Sequence, residues 1–413
     1  MTVEGGSQGP RLPLRTVLLL GALTALGSLS IDAYLPSLPS MARGLSTTEA
    51  MVQLTLTTFL IGFAAGQAFG GSVSDVFGRR RPVLVALSVY AVVSAVCGLA
   101  PTIGVLLVAR AFQGVVAGAV VVTARAVVRD LHSGPAAARL YSILLLVMGA
   151  APVVGPIAGG QLLHFTSGRG IFLVLAGVTV VLLAVTAVGL RDTLAPHLRR
   201  TGGTRDALRT MRGLGHDRVF LGYFLANGFA NACVFVWIAG SPFVLQRRYG
   251  FSPQVYSLVF ALMTSGLIGM SQVNRWLVNR VHTRRLLRIG LSIEAIGAAG
   301  ALAAFSVHGL SPVFAIIPIL AMMSSIGLIL PNALALALAD HPREAGTATG
   351  LMGAPQYLMG AGLAPLVGLG GASNGVPMAS LLLALSLVAV GAFRVLTRPG
   401  AEDAEPVMAI PTV

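Results

Sequence analysis

Twelve stretches of mostly apolar residues, each about as long as a bilayer is thick, organise this chain. They lie at 16–38, 50–71, 82–100, 102–124, 140–163, 171–190, 219–245, 253–273, 289–307, 311–335, 346–369 and 375–393. About 20 apolar residues carry a helix across the hydrocarbon core. Inside lipid every backbone N–H and C=O must be bonded internally, so each stretch must be helical or part of a closed barrel. Their length fits helices, and the pattern predicts an all-α, polytopic membrane protein of 12 transmembrane helices. Of the 413 residues 55% are hydrophobic and 10% are charged, against about 25% charged in soluble domains. The 50 glycines agree, because membrane helices use small residues to pack closely.

Charge sets orientation and excludes function classes. All 28 basic residues are Arg, and the formal net charge is +14. With both termini in the cytoplasm, the inside connectors hold Arg79 to Arg81, Arg125, Arg129, Arg139, the run from Arg191 to Arg218, and Arg275 to Arg288. The outside loops hold only Arg43, Arg169, Arg247 and Arg248. This follows the positive-inside rule. Arg110 alone falls inside a span, the fourth. The basic residues are dispersed among spans, which argues against a nucleic-acid partner. Without Lys there is no P-loop, hence no ATP site of that kind. Cys97 and Cys233 sit in apolar runs as packed thiols. The seven His have no metal-ligand spacing, so no metal and no cofactor are expected. No nucleophile–base constellation points to an enzyme. The first apolar run leads directly into further spans and does not resemble a cleaved signal.

The Arg-rich connector 191–218 divides the spans six and six. The expected organisation is a six-helix bundle over 1–190, a cytoplasmic linker over 191–218, a second bundle over 219–396 and a disordered tail over 397–413. "GSVSDVFGRRRP" after span 2 and "WLVNRVHTRRLL" after span 8 align Arg79-Arg80 with Arg284-Arg285 and Asp75 with Arg280. Such a weak parallel repeat is a mark of secondary transporters.

Three further signatures identify a family resemblance. Gly71, Asp75, Gly78, Arg79 and Arg80 carry G-x-x-x-D-x-x-G-R-R. "RAFQG" in span 4 holds Arg110, Gln113 and Gly114. "GAAPVVGPIAGG" in span 5 holds Gly149, Pro152, Gly155, Pro156, Gly159 and Gly160. Together they resemble the major facilitator superfamily. "SIDAYLPSLP", "AGSPFVLQ" and "EAGTATGLMGAPQY" are similar to its Bcr/CflA group of drug:proton antiporters. The resemblance implies a monomer in the bacterial cytoplasmic membrane that exports small drugs in exchange for protons by alternating access. An uptake porter of the same fold for a small metabolite is the alternative, since one sequence does not fix direction.

Residue roles follow as expectations. Asp32 and Arg110 fall at similar depth, in spans that line the cavity in proteins of this resemblance. Burial favours the neutral acid and a nearby guanidinium favours the carboxylate. A cycle that changes their separation then loads and releases a proton. Gly71, Asp75, Gly78, Arg79, Arg80, Arg129 and Asp130 are expected to form a cytoplasmic gate. There Gly71 and Gly78 permit tight turns, and Asp75 pairs with Arg129 or with the start of span 11 near Gly346. The span 5 motif is expected to be a hinge and seal. Tyr34, Gln53, Phe59, Gln113, Asn227, Asn231, Trp237 and Gln356 are candidate cavity residues. Glu294, deep in span 9, has a bland expected role: neutral, or bonded to a neighbouring helix.

Overall fold

The computed structural model describes residues 14–131, 149–194, 217–339, 359–360, 362–363, 366–369 and 374–397. The described regular structure is helical. Ten segments among the described residues are long and apolar enough to cross a membrane. They coincide with ten of the predicted stretches. Of the other two, 140–163 is described from residue 149 onward, and 346–369 falls largely outside the described residues.

The first span is not one helix. α1 runs from Leu14 to Asp32, a 3-10 turn covers Leu35–Ser37, and α2 covers Leu38–Gly44. Pro36 and Pro39 explain the break. Each lacks an N–H; Pro36 falls in the 3-10 turn and Pro39 in the first turn of α2, where a missing donor is tolerated. Asp32 therefore ends a helix inside the span. Long helices follow: α3 (Glu49–Phe77), α4 (Arg80–Leu99) and α5 (Ile103–Leu131). Residues 149–162 form α6, and α7 is Gly170–Gly189. α8 is Arg218–Phe243, capped by Asp217, whose carboxylate accepts from Val219 N and Phe220 N. α9 (Pro253–Leu277), α10 (Thr283–Ser306), α11 (Val313–Ala339) and α12 (Gly375–Leu396) complete the series.

The chain groups into two compact units. The first contains Met1–Tyr34 and Thr58–Gly202. In it α4 packs on α5 and α7, and α1 packs on both α5 and α7. The second contains Leu35–Thr57 and Gly203–Val413. There α10 packs on α11 and α12, α8 packs on α12, and α9 packs on α11. Its apolar core includes Phe220, Tyr223, Leu287, Leu291, Ile329 and Phe393. The segment 35–57, which belongs to the first two spans, thus packs as part of the second unit.

In the first unit, α3 and α5 meet backbone to backbone. A Cβ built on Gly62 or Gly66 would overlap the carbonyl of Ala111 or Val115. Reciprocally, a Cβ on Gly114 or Gly118 would overlap the carbonyl of Phe59 or Phe63. Small residues four apart on both helices give this close approach. It fixes the height of Arg110, one turn before Gly114, against Phe59.

The loop repeat survives in altered form. Arg80 Nη2 donates to Ala187 O at the end of α7, 2.7 Å away. In the second unit Arg284 Nη2 donates to Thr397 O at 3.1 Å and Thr397 Oγ1 at 3.2 Å, beyond α12. Arg280, aligned with Asp75, instead stacks on Trp276 with its Cζ 3.8 Å from the ring. Arg284 aligns with Arg79 and not with Arg80, so the second loop makes a similar helix-end contact from the neighbouring position and lacks the acid.

Overpacking a tight contact costs about 1–3 kcal/mol. Gly114→Ala is therefore expected to lower the melting temperature of the purified protein by several degrees. Gly177→Ala, with nothing within 4 Å of the added Cβ, leaves it unchanged or raises it. Thermal unfolding of the two variants in one detergent checks the contrast.

Candidate functional site

Arg110 is fully buried within the first unit. Its Nη1 donates to Ser30 O at 3.1 Å and to Gln113 Oε1 at 2.6 Å. Its Cζ stands 4.2 Å from the Phe59 ring centroid, 4.5 Å from Tyr34 and 5.4 Å from Phe172. Three aromatic faces and two oxygen acceptors replace the water that a guanidinium otherwise requires. Gln113 is held in turn, because its Nε2 donates to Ser94 Oγ at 2.7 Å. The Ser30 hydroxyl bonds Leu26 O and the Tyr90 hydroxyl.

The Ser30 carbonyl is available because α1 stops. In an unbroken helix it would accept the N–H four residues on. At Asp32 the helix ends, Leu29 O still accepts from Ala33 N, Ser30 O accepts from Arg110, and a cation there complements the negative end of the helix dipole. Arg110 thus caps a broken helix from a neighbouring one. Asp32 itself is 4% exposed. Among the described residues it makes no ion pair with Arg110. The acid and the cation are two residues apart through the Ser30 carbonyl, and the guanidinium rests on the backbone.

Span 5 closes this site from the other side. A Cβ on Gly155 would come to 3.0 Å from Asp32 Cβ, and one on Gly159 would overlap Ala33 O. The predicted small face of α6 therefore lies directly on the break after Asp32. Pro152 and Pro156 both lie within the helical stretch.

The sequence-predicted cavity residues separate into groups. Tyr34, Phe59 and Gln113 surround Arg110. Gln53, Asn227, Asn231 and Trp237 are buried in the second unit. Asn231 Nδ2 donates to Asn227 O and Oδ1, each at 3.0 Å. Gln53 Nε2 donates to Ala239 O at 3.1 Å. Gln53 Oε1, Asn227 Nδ2 and Trp237 Nε1 have no hydrogen-bond partner among the described residues. Gln356 lies outside them. An apolar cavity of about 400 Å³ lined by Val93, Val105, Val108 and Phe112 opens beside exposed valines and contains none of these polar groups.

The loop after α3 forms a second polar cluster. Arg79 is 2% exposed. Its Nη1 donates to Asp75 Oδ1 at 2.6 Å and Ser74 Oγ at 2.7 Å, and its Nε donates to Asp130 Oδ2 at 2.7 Å. Its backbone N–H donates to Asp192 Oδ1 at 2.9 Å, and Thr193 Oγ1 donates to Asp130 Oδ2 at 3.1 Å. Burial pushes the guanidinium down, but the bonds and charges of Asp130 and Asp75 outweigh it and hold Arg79 above its ordinary value. Asp75 pairs within its own loop; the Arg129 side chain and Gly346 lie outside the described residues. Gly78 has φ +84°, a conformation that suits glycine. Gly71 lies inside α3, where a Cβ would meet only Val122 at 3.8 Å, so the tight-turn expectation holds for Gly78 alone.

Several contributors escaped the sequence reading: Ser30, Tyr90, Ser94, Phe172, Asp192 and Thr193. Tyr90 and Ser94, four apart in span 3, were the readable signal, since a helix presents such a pair on one face.

The family model described as Major Facilitator Superfamily matches residues 18–365. The chain is 36% identical over 387 residues to an uncharacterized MFS-type transporter, YdgK, of Bacillus subtilis (strain 168), covering 93% of this chain and 96% of that one. It is 30% identical over 382 residues to a bicyclomycin resistance protein homolog of Haemophilus influenzae, covering 92% and 96%. A chloramphenicol resistance protein of Pseudomonas aeruginosa is 30% identical, covering 68% and 67%. Among solved structures, a bacterial homolog of the human lysosomal transporter Spinster, inward-facing and occupied, superposes with TM-score 0.78 at 16% identity, covering 95% and 99%. The D-xylose-proton symporter does so with TM-score 0.72 at 14%, covering 91% and 97%.

Removing one partner of a buried ion pair costs about 3–5 kcal/mol, whereas exposed pairs are worth under about 1 kcal/mol. The Asp130 side chain is 12% exposed and that of Asp75 is 31%. Asp130→Ala is therefore expected to destabilise the protein more than Asp75→Ala, by at least about 1 kcal/mol, as read by thermal unfolding. At the broken helix, Gly159→Ala is expected to reduce folded protein in the membrane several-fold, with Gly155→Ala milder. Fluorescence-detected size-exclusion chromatography measures both.

Proposed function

The chain belongs to the Major Facilitator Superfamily, and from that premise we propose that it exports small, moderately lipophilic drugs in exchange for protons by alternating access. The observation that carries the reading is a buried carboxyl, Asp32, at the break of α1, beside an arginine that occupies the adjacent helix-terminal carbonyl. The resistance proteins for bicyclomycin and chloramphenicol among its relatives support drugs as the cargo. The site belongs in a bacterial cytoplasmic membrane, with 12 spans, cytoplasmic termini and a monomeric carrier.

In this mechanism Arg110 has two alternative acceptors. With Asp32 protonated, the guanidinium rests on Ser30 O and Gln113 Oε1. When the proton leaves, the carboxylate competes for it, because a charged acceptor bonds roughly twice as strongly as a neutral one. The shift strips the Ser30 carbonyl at the end of α1 and moves the break against Gly155 and Gly159. Protonation thus becomes a displacement of the helix end. One charge crossing the membrane gains about 2.3 kcal/mol per 100 mV, enough for roughly a fiftyfold gradient of a neutral solute.

The segment 35–57 supplies the second part. It is tied to the end of α8 by the Arg247–Glu49 pair, by Gln246 Nε2 donating to Pro36 O at 2.9 Å, and by Gln53 Nε2 on Ala239 O. The ion pair is partly exposed, and exposed ion pairs contribute under about 1 kcal/mol, so this polar tie suits a latch that opens in each cycle. The open hydrogen-bonding atoms of Gln53, Asn227 and Trp237 are the groups assigned to the drug's polar atoms, within otherwise apolar walls. Asp75, Arg79 and Asp130, joined by Asp192, form the cytoplasmic gate.

Drug susceptibility tests this. Wild type and Asp32→Asn are expressed at matched membrane levels in a strain lacking its own exporters. The expected outcome is resistance to a phenicol or bicyclomycin, abolished by an uncoupler and lost at least tenfold in the variant. Uncoupler-sensitive resistance that survives Asp32→Asn would remove Asp32 from coupling. Substrate-dependent growth without resistance would favour uptake of a metabolite.

A further inference from the structure

The second unit contains a carboxyl that the drug reading does not use. Glu294 on α10 is fully buried, and neither of its carboxyl oxygens has a hydrogen-bond partner among the described residues. The expectation of a bond to a neighbouring helix is therefore not met. Its polar neighbour is the Cys233 thiol on α8, which makes no hydrogen bond of ordinary geometry with it. That thiol approaches Leu382 O at 3.6 Å and Ser386 Oγ at 3.7 Å on α12. The Ser386 hydroxyl donates to Leu382 O at 2.8 Å. The Ser386 hydroxyl is thus engaged by Leu382 O, and the Cys233 thiol lies within reach of Leu382 O and Ser386 Oγ.

Charged groups are also distant in sequence on every packed element. α11 has no titratable residue along its length. On α12 the charged residue is Arg394, two turns past Ser386. On α8, Tyr223 lies ten residues before Cys233 and accepts from Arg284 Nη1. On α10 itself, Arg284, Arg285 and Arg288 sit in the first two turns. Gly290 and Gly297 flank Glu294 on the buried face and press on Ile329 and Pro318 of α11. An anion with neither donor nor cation in an apolar span is strongly disfavoured, so the group is neutral or paired.

We propose that Glu294, with Cys233 and Ser386, is a second proton-binding site of this protein, one that exchanges its proton with water. It lies in the other unit from Asp32, and a carrier with both would move up to two protons in a cycle. The inference does not depend on the cargo, and its test uses no transported compound.

The test is infrared spectroscopy of the full chain in lipid bilayers, made with isotope-labelled glutamate. An ordinary glutamate, with pKa about 4.3, is ionised at neutral pH. The expected result is an isotope-shifted carboxylic-acid C=O band at neutral pH that moves to lower frequency in heavy water and is lost in Glu294→Gln. Carboxylate bands alone would overturn the proposal. A C=O band that never shifts in heavy water would overturn it as well, by marking a static structural acid. A band that persists in Glu294→Gln would assign the proton elsewhere. The labelled wild-type protein alone decides the first two results, should the variant fold poorly.

Discussion

A guanidinium resting on the carbonyl end of a broken helix organises the first unit. Membrane interiors tolerate an unpaired backbone carbonyl as poorly as an unpaired cation. Here each satisfies the other, as Arg110 donates to Ser30 O. Everything nearby follows from keeping that contact. Phe59, Tyr34 and Phe172 exclude lipid and water from the cation. Gln113, tied to Ser94, holds its orientation. The glycines shared by α3 and α5 bring the two backbones close enough for the ring of Phe59 to cover it. Asp32, buried at the same helix end, lies two residues from the carbonyl that holds the cation.

The two halves solve the same topological problem with different chemistry. In each, an arginine at the start of a helix reaches carbonyl oxygen at the end of another: Arg80 to Ala187 and Arg284 to Thr397. The first half adds Asp75, Asp130 and Asp192 around Arg79, so its loop is a buried charge network. The second half substitutes aromatic contact, with Arg280 on Trp276 and Arg284 on Phe393. A charge network rearranges when one proton or one partner changes, whereas a stacked cation does not. The asymmetry is one of chemistry: ion pairs in the first loop and stacked guanidinium groups in the second.

Sequence makes a residue conspicuous where a single side chain carries the constraint. Arg110 is conspicuous because a charge inside a span must be compensated. Gly78 is conspicuous because its backbone sits at positive φ. Gly155 and Gly159 are readable as a small face, and the structure adds what that face covers. Gly71, by contrast, belongs to a helix interior and has no conformational need to be glycine. Glu294 could be located by sequence but not interpreted, because its meaning lies in its oxygens having no hydrogen-bond partner among the described residues.

Sequence alone determined the number of apolar stretches, the sign of the loops, the helical class and the family signatures. These depend on local composition, since lipid dictates length and polarity segment by segment. Tertiary structure alone decided that Arg110 holds Ser30 O, that Asp192 joins the Arg79 network, and that residues 35–57 pack with the second unit. Those partners lie 80 or more residues apart in the chain. Their meeting is set by backbone breaks and close helix packing, which no local pattern encodes.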